Sequence, residues 1–201
     1  MIEADRQALA EFLSGLTAEE WNGQSLCSDW SVADVAAHML VIPTVSKGST
    51  LINFLTSGFN LDTFSAKMVD RIRSDNSNEQ MAAAMGDAAS SQRVPLGLKP
   101  MGVLAETLVH SGDISEGVGR PLAFPAEHYA AGLEYLKDVQ PALGTRERIA
   151  GLKITATDAD WSHGDGPEVQ GPAQYLTLAI TGRKSALDHL SGDGVDTLRA
   201  R

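Results

Sequence analysis

Apolar residues recur at helical spacing through the first two-thirds of the chain. Over residues 4–16, Leu9, Phe12, Leu13 and Leu16 fall on one helical face. Thr17-Ala18-Glu19-Glu20 sets a carboxylate three residues after a hydroxyl, the capping-box pattern that opens a helix. Ser31-Val32-Ala33-Asp34 repeats it with Asp for Glu and predicts a second helix through His38. Pro43 should end or kink that helix near Val41 or Ile42. Helical pattern continues over 50–55, 64–72 and 78–89. Residues 93–100, with two prolines and Gly97, read as a connection. A strong helix is predicted over 101–116, stopping at Gly117 and Gly119, and another over 126–139.

Near residues 141–144 the pattern changes. Residues 152–157 alternate apolar and polar, as a half-buried strand does. Residues 160–166 are dense in turn formers, and 168–171 supply a short second strand. Pro172 suits the first turn of a closing helix whose apolar side is Tyr175, Leu176, Leu178, Ala179 and Ile180. A last helix is expected over 184–190. The expected fold is mainly α, a helical bundle over 1–143 followed by a small α/β domain over 144–201.

Composition narrows the function classes. The chain has 201 residues, 43% of them hydrophobic, enough for a buried core. Sixteen basic against 26 acidic side chains give a net charge of −10. That balance argues against nucleic acid, whose binding needs clustered cations, and against anionic membranes. Cys27 is the only cysteine, so neither an intrachain disulfide nor a CxxC site can form. Glu3 and Asp5 stand where a signal peptide carries positive charge, and no apolar run approaches the roughly 20 residues of a membrane helix. A cytoplasmic location is expected.

The residues that carry chemistry are His38, Glu106 and His110. Glu106 and His110 are four apart on one predicted helix and share a face with Val103 and Ile114. A bare carboxylate facing a bundle core is costly, and a metal ion answers that cost. His38 is set among Val35, Val41 and Ile42 on its own helix. Two ligands from one helix and a third from another can build a metal site in a bundle. Three protein ligands and an open fourth position make the catalytic zinc pattern, and a thiol entering there would be held as thiolate. Competing readings are a hydrogen-bonded core histidine for His38 and a plain surface pair for Glu106 and His110.

The local sequences add a resemblance. Residues 28–38, Ser-Asp-Trp-Ser-Val-Ala-Asp-Val-Ala-Ala-His, resemble the first histidine motif of the mycothiol-dependent maleylpyruvate isomerase family, part of the DinB-like superfamily. Residues 106–114, Glu-Thr-Leu-Val-His-Ser-Gly-Asp-Ile, are similar to its second motif, and 117–121 to the turn that follows. Residues 156–161, Gly182-Arg183 and 190–194 resemble its smaller C-terminal domain. The resemblance implies a DinB-like four-helix bundle with a sterol-carrier-protein-like C-terminal segment. It also implies a divalent metal, zinc or nickel, at His38, Glu106 and His110, and mycothiol or a similar thiol as cosubstrate. The function it points to is a thiol-dependent isomerase or S-transferase acting on a small electrophile. The alternative is a non-catalytic thiol-binding bundle or a structural metal bundle.

Other residues are read more simply. Arg183 is a candidate for binding a carboxylate of substrate or thiol, against a salt-bridge or helix-cap role. Asp113 orients a ligand or is a solvated helix-end carboxylate, the latter being favoured. Cys27 reads as a small buried hydrophobe near Trp30. His128, His163 and His189 read as surface residues. Asp158-x-Asp160-x-Ser162 begins like a calcium loop, but its sixth position is His163 and its twelfth Val169, which excludes one. The expected partners are a small thiol and a small electrophile, with a second copy of the chain as a further candidate.

Overall fold

The computed structural model describes residues 1–95, 98–139 and 143–201. The connection read over 93–100 and the pattern change near 141–144 fall partly outside the described residues. The chain is mainly helical with a three-stranded sheet near its C-terminus. It divides into two compact units, residues 1–99 with 113–122, and residues 100–112 with 123–201.

In the first unit, α1 (Ile2–Ser14) packs on α6 (Asn78–Asp87), and α3 (Val32–Thr44) packs on both α5 (Leu61–Asp75) and α6. Short α2 (Ala18–Asn22) lies against α3, and α4 (Lys47–Thr56) lies against α5. The predicted caps form. The Thr17 hydroxyl accepts from Glu20 N while Glu20 accepts from Thr17 N, and Ser31 and Asp34 do the same for α3. The core joins Leu9, Leu13, Trp21, Val35, Leu40, Met68, Met81, Met85 and Ile114.

Pro43 does not end α3, which continues to Thr44. It stands in the last turn, where the loss of one N–H is offset nearby. Val45 N donates to Val41 O, and the Thr44 hydroxyl donates to Leu40 O at 2.6 Å. Arg93 then donates to the free carbonyls of Thr44 and Val45 at 3.0 and 2.9 Å.

Helix α7 (Pro100–Val118) begins with Pro at N1 and ends at Gly119, whose φ of 65° gives a left-handed C-cap. Gly117 lies inside the helix and does not stop it. A β-carbon there would stand 2.7 Å from Gln24 O and 2.8 Å from Ser25 Cα, so glycine allows the 23–31 loop to press onto the helix.

The second unit holds the first part of α7, α8 (Ala126–Leu136), α9 (Thr145–Arg148), the sheet, α10 (Ala173–Ile180), a 3-10 turn (Lys184–His189) and α11 (Val195–Arg199). Strand β1 (Lys153–Ala156) is central. It pairs antiparallel with β2 (Ser162–His163) and parallel with β3 (Glu168–Gly171), with Ile154 opposite both His163 and Val169. Ile154 and Val169 are fully buried, and α10 packs on β1, β3 and α8. Asp158, from the rejected calcium pattern, accepts from Ala173 N at 2.8 Å and so caps α10. The helix expected over 184–190 is a 3-10 turn over Lys184–His189. Strand β2, inside a stretch read as turns, was not foreseen.

Two outcomes test this packing. Gly117→Ala is expected to cost about 1–3 kcal/mol in urea unfolding, because backbone on the facing loop must move. On the sheet, the Thr155 hydroxyl donates to Glu168 at 2.7 Å and Lys153 approaches it at 2.9 Å. The Thr155 bond, with help from Lys153, holds the Glu168 carboxyl below its ordinary value of 4.5. A depressed carboxyl stabilises the fold above its unfolded pKa and loses that effect as pH falls through the folded value. Thr155→Val should therefore lower stability at about pH 7 and show a smaller loss at about pH 3.

Candidate metal centre

Helix α3 buries nearly all of its surface. Val32, Ala33, Val35, Ala36, Ala37, Met39, Leu40 and Val41 are buried, while Asp34 and His38, four residues apart, are half-open. Asp34 is engaged by its capping box and by Arg73 at 3.3 Å. His38 meets the Trp30 ring, centroids 4.9 Å apart and planes tilted by 47°.

Helix α7 repeats the arrangement. From Gly102 to Ser115 every residue is buried except Glu106 and His110, which are half-open and share a face. Thr107, on another face, turns its hydroxyl back to Val103 O at 2.9 Å. Both helices thus carry polar side chains with ligand chemistry at the few positions that apolar packing does not close.

Asp113, one turn beyond His110 on α7, is 0% exposed. The expectation of a solvated helix-end carboxylate is wrong, because α7 runs on past it to Val118 and the 23–31 loop covers it. Leu26 N donates to Asp113 O at 3.1 Å, and Cys27 Sγ donates to Asp113 Oδ2 at 3.1 Å. Cys27 is accordingly half-buried and hydrogen-bonded, although it also packs against the core as expected. Its loop is wired internally: Gln24 Nε2 donates to the carbonyls of Cys27 and Trp30 at 2.8 and 2.9 Å, and the Ser25 hydroxyl donates to Trp30 O at 2.7 Å. The link between Cys27 and Asp113 carried no sequence signal, since 86 positions separate the two residues.

Among the described residues, two sets of side chains offer the donors that a metal ion takes. One is His38, Glu106 and His110; the other is Cys27, His110 and Asp113. The first is the set read from the sequence, and the second was missed. Arg183 stands at the turn after α10 and donates to Thr181 O at 3.0 Å. His163 stacks with Trp161 at 6.4 Å, and His189 lies flat on Tyr175 at 3.8 Å.

Residues 2–51 match the family model of the mycothiol maleylpyruvate isomerase N-terminal domain. The family resemblance read from the histidine motif is thereby borne out on this segment. The matched stretch runs from α1 into α4 and includes His38, Trp30 and the Ser31 cap. It ends before α7. No curated protein and no solved structure matches the chain significantly. No helix among the described residues is long and apolar enough to cross a membrane.

The Cys27 contact can be tested directly. Cys27→Ala leaves the buried Asp113 carboxylate one donor short and is expected to cost about 1–3 kcal/mol in chemical unfolding. Cys27→Ser, which keeps a donor, should recover part of that loss.

Proposed function

We propose that His38, Glu106 and His110 hold one divalent metal ion, zinc or nickel, in a cytoplasmic enzyme that uses mycothiol or a similar small thiol. The observation that carries this reading is the half-open placement of all three on helices otherwise closed by apolar packing. Imidazole nitrogen and carboxylate oxygen are ordinary ligands of such ions, so the donor set fits. The family match around His38 supports the choice of thiol. The finer fold reading proposed with it is a DinB-like four-helix bundle and a sterol-carrier-protein-like segment near the C-terminus.

A cation bound by these side chains supplies Lewis acidity that keeps a thiol in its nucleophilic thiolate form near neutral pH. The protein's own part is positional. The Trp30 ring lies against the His38 imidazole, centroids 4.9 Å apart. Asp113 is fixed through Cys27 and Leu26, which anchors the turn of α7 that follows His110. In the proposed reaction the thiolate sulfur forms a bond to an electrophilic carbon of a small unsaturated substrate. Rotation about the former double bond and expulsion of the thiol complete an isomerisation; protonation of the adjacent carbon with the thiol retained completes an S-transfer. Arg183 is proposed to receive a substrate or thiol carboxylate, the anion its planar fork fits.

A second reading, a structural metal bundle, draws on the other donor set. Cys27 and Asp113 offer further ligands beside His110, and a site closed by protein ligands leaves no place for substrate.

Metal content separates these readings from an empty bundle. Purified without an affinity tag, the wild type should carry about one metal per chain, and His110→Ala should lose it. Wild type that stays empty after stripping and reloading with zinc would sink both metal readings. With cobalt in place of zinc, added thiol should produce a thiolate-to-cobalt charge-transfer band in Cys27→Ser, where no protein thiol remains. A site that takes cobalt yet shows no thiol-dependent band favours the structural reading. Glu106→Ala should abolish thiol conjugation while far-UV circular dichroism stays unchanged.

A further inference from the structure

Helix α7 sets His110 and Asp113 three residues apart, on one face. One turn beyond Asp113 stands Gly117, whose missing side chain lets the 23–31 loop close onto the helix. Leu26 N pins the loop there by donating to Asp113 O at 3.1 Å. The next residue is Cys27. Its N–H donates to the Ser25 hydroxyl at 3.1 Å, and its carbonyl accepts from Gln24 Nε2 at 2.8 Å and from Trp30 N at 3.0 Å. These bonds fix where the sulfur of the chain's only cysteine stands. Sγ lies 3.1 Å from Asp113 Oδ2, and ligand atoms of Cys27, His110 and Asp113 all lie within 4.8 Å of one another.

We propose that these three side chains form a second position for a divalent ion, alternative to the first and competing with it for His110. The inference rests on the metal-binding reading of His110 above and adds a ligand set that contains sulfur. Distance is the first argument. Bonds of about 2.3 Å to sulfur and about 2.1 Å to oxygen set the two atoms about 3.6 Å apart in a tetrahedron. Sγ and Oδ2 therefore need to part by only roughly half an ångström from their 3.1 Å contact. Charge is the second argument. Asp113 is 0% exposed, and a carboxylate so buried is stabilised by a cation bound to it. Thiolate and carboxylate together neutralise a divalent ion, where the first set supplies a single negative charge. The thiol proton leaves to solvent as the sulfur binds.

Both donor sets include His110. A neutral imidazole has one acceptor nitrogen and so serves one ion at a time. An ion seated on Cys27 withdraws His110 from His38 and Glu106, and the two positions exclude each other. Softness then divides the ions between them. Zinc and the softer cadmium favour the set with the thiolate, while harder ions favour the set built of nitrogen and oxygen alone.

Cobalt loading of the full chain, kept reduced with a phosphine and with no thiol in the buffer, tests the assignment. Because Cys27 is the only cysteine, a thiolate-to-cobalt charge-transfer band has one source in the protein. The wild type should take up about one cobalt per chain and show the band. His38→Ala and Glu106→Ala should keep the band. Cys27→Ser should lose it and still bind about one cobalt, now at the first set. Far-UV circular dichroism checks that each variant is folded. Alkylation gives a readout without substitution: stoichiometric cadmium should slow the reaction of wild-type Cys27 with iodoacetamide by about tenfold or more, because a metal-bound sulfur is withheld from attack. Cobalt bound without the band, a band that survives Cys27→Ser, or alkylation that cadmium leaves unchanged overturns the second position and leaves the first standing. Uptake of about two cobalt ions per chain overturns the competition for His110. A wild type with the band whose folded Cys27→Ser variant binds no cobalt removes the first set and keeps the second. Wild type that takes up no cobalt overturns both.

Discussion

A helix enclosed by apolar neighbours along most of its length must satisfy its polar groups inside the protein. Helix α7 is such a helix from Gly102 to Ser115, and its polar residues, apart from Ser111 with its buried unpartnered hydroxyl, are sorted by that constraint. Thr107 bonds back to its own helix, and Asp113 accepts from the Cys27 thiol at its carboxylate and from Leu26 N of the covering loop at its backbone carbonyl. Glu106 and His110 take the two half-open positions. A carboxylate and an imidazole held there are partly withdrawn from water.

The 23–31 loop has a dual role in the first unit. It feeds the chain into α3 through the Ser31 cap, and it closes over Asp113 and Gly117 of α7. Gln24 and Ser25 gather the carbonyls of Cys27 and Trp30, which ties the loop to itself. Trp30, held in this way, rests its ring on His38. A single loop therefore sets the start of one helix, the environment of one candidate ligand and the fixation of the helix that carries the other two.

The C-terminal part is organised by β1. Its alternation buries Ile154 between paired neighbours on both sides, and α10 covers the sheet. Asp158 shows how a motif fragment acquires a different use. Its spacing imitates a calcium loop, but its carboxylate satisfies the N-terminus of α10, a position where an anion is favoured by the helix dipole.

What the sequence determined by itself was local. Capping boxes at Thr17 and Ser31, the Gly119 end of α7, the strands around Ile154 and Val169, and the i,i+4 spacing of Glu106 and His110 all arise within a few residues, and each proved readable. The family resemblance was legible for the same reason, and the match over residues 2–51 bears it out. Tertiary structure decided what depends on contacts between distant segments. Pro43 stays helical because Arg93, far along the chain, takes up exposed carbonyls at the end of α3. Gly117 is helical because a loop needs its missing side chain, and Asp113 is buried because that loop closes over it. Strand β2 exists because β1 offers it a free edge. Local hydrogen bonding and side-chain periodicity are written in consecutive residues. Burial is a property of the neighbours that folding brings from elsewhere, and no short stretch of sequence records them.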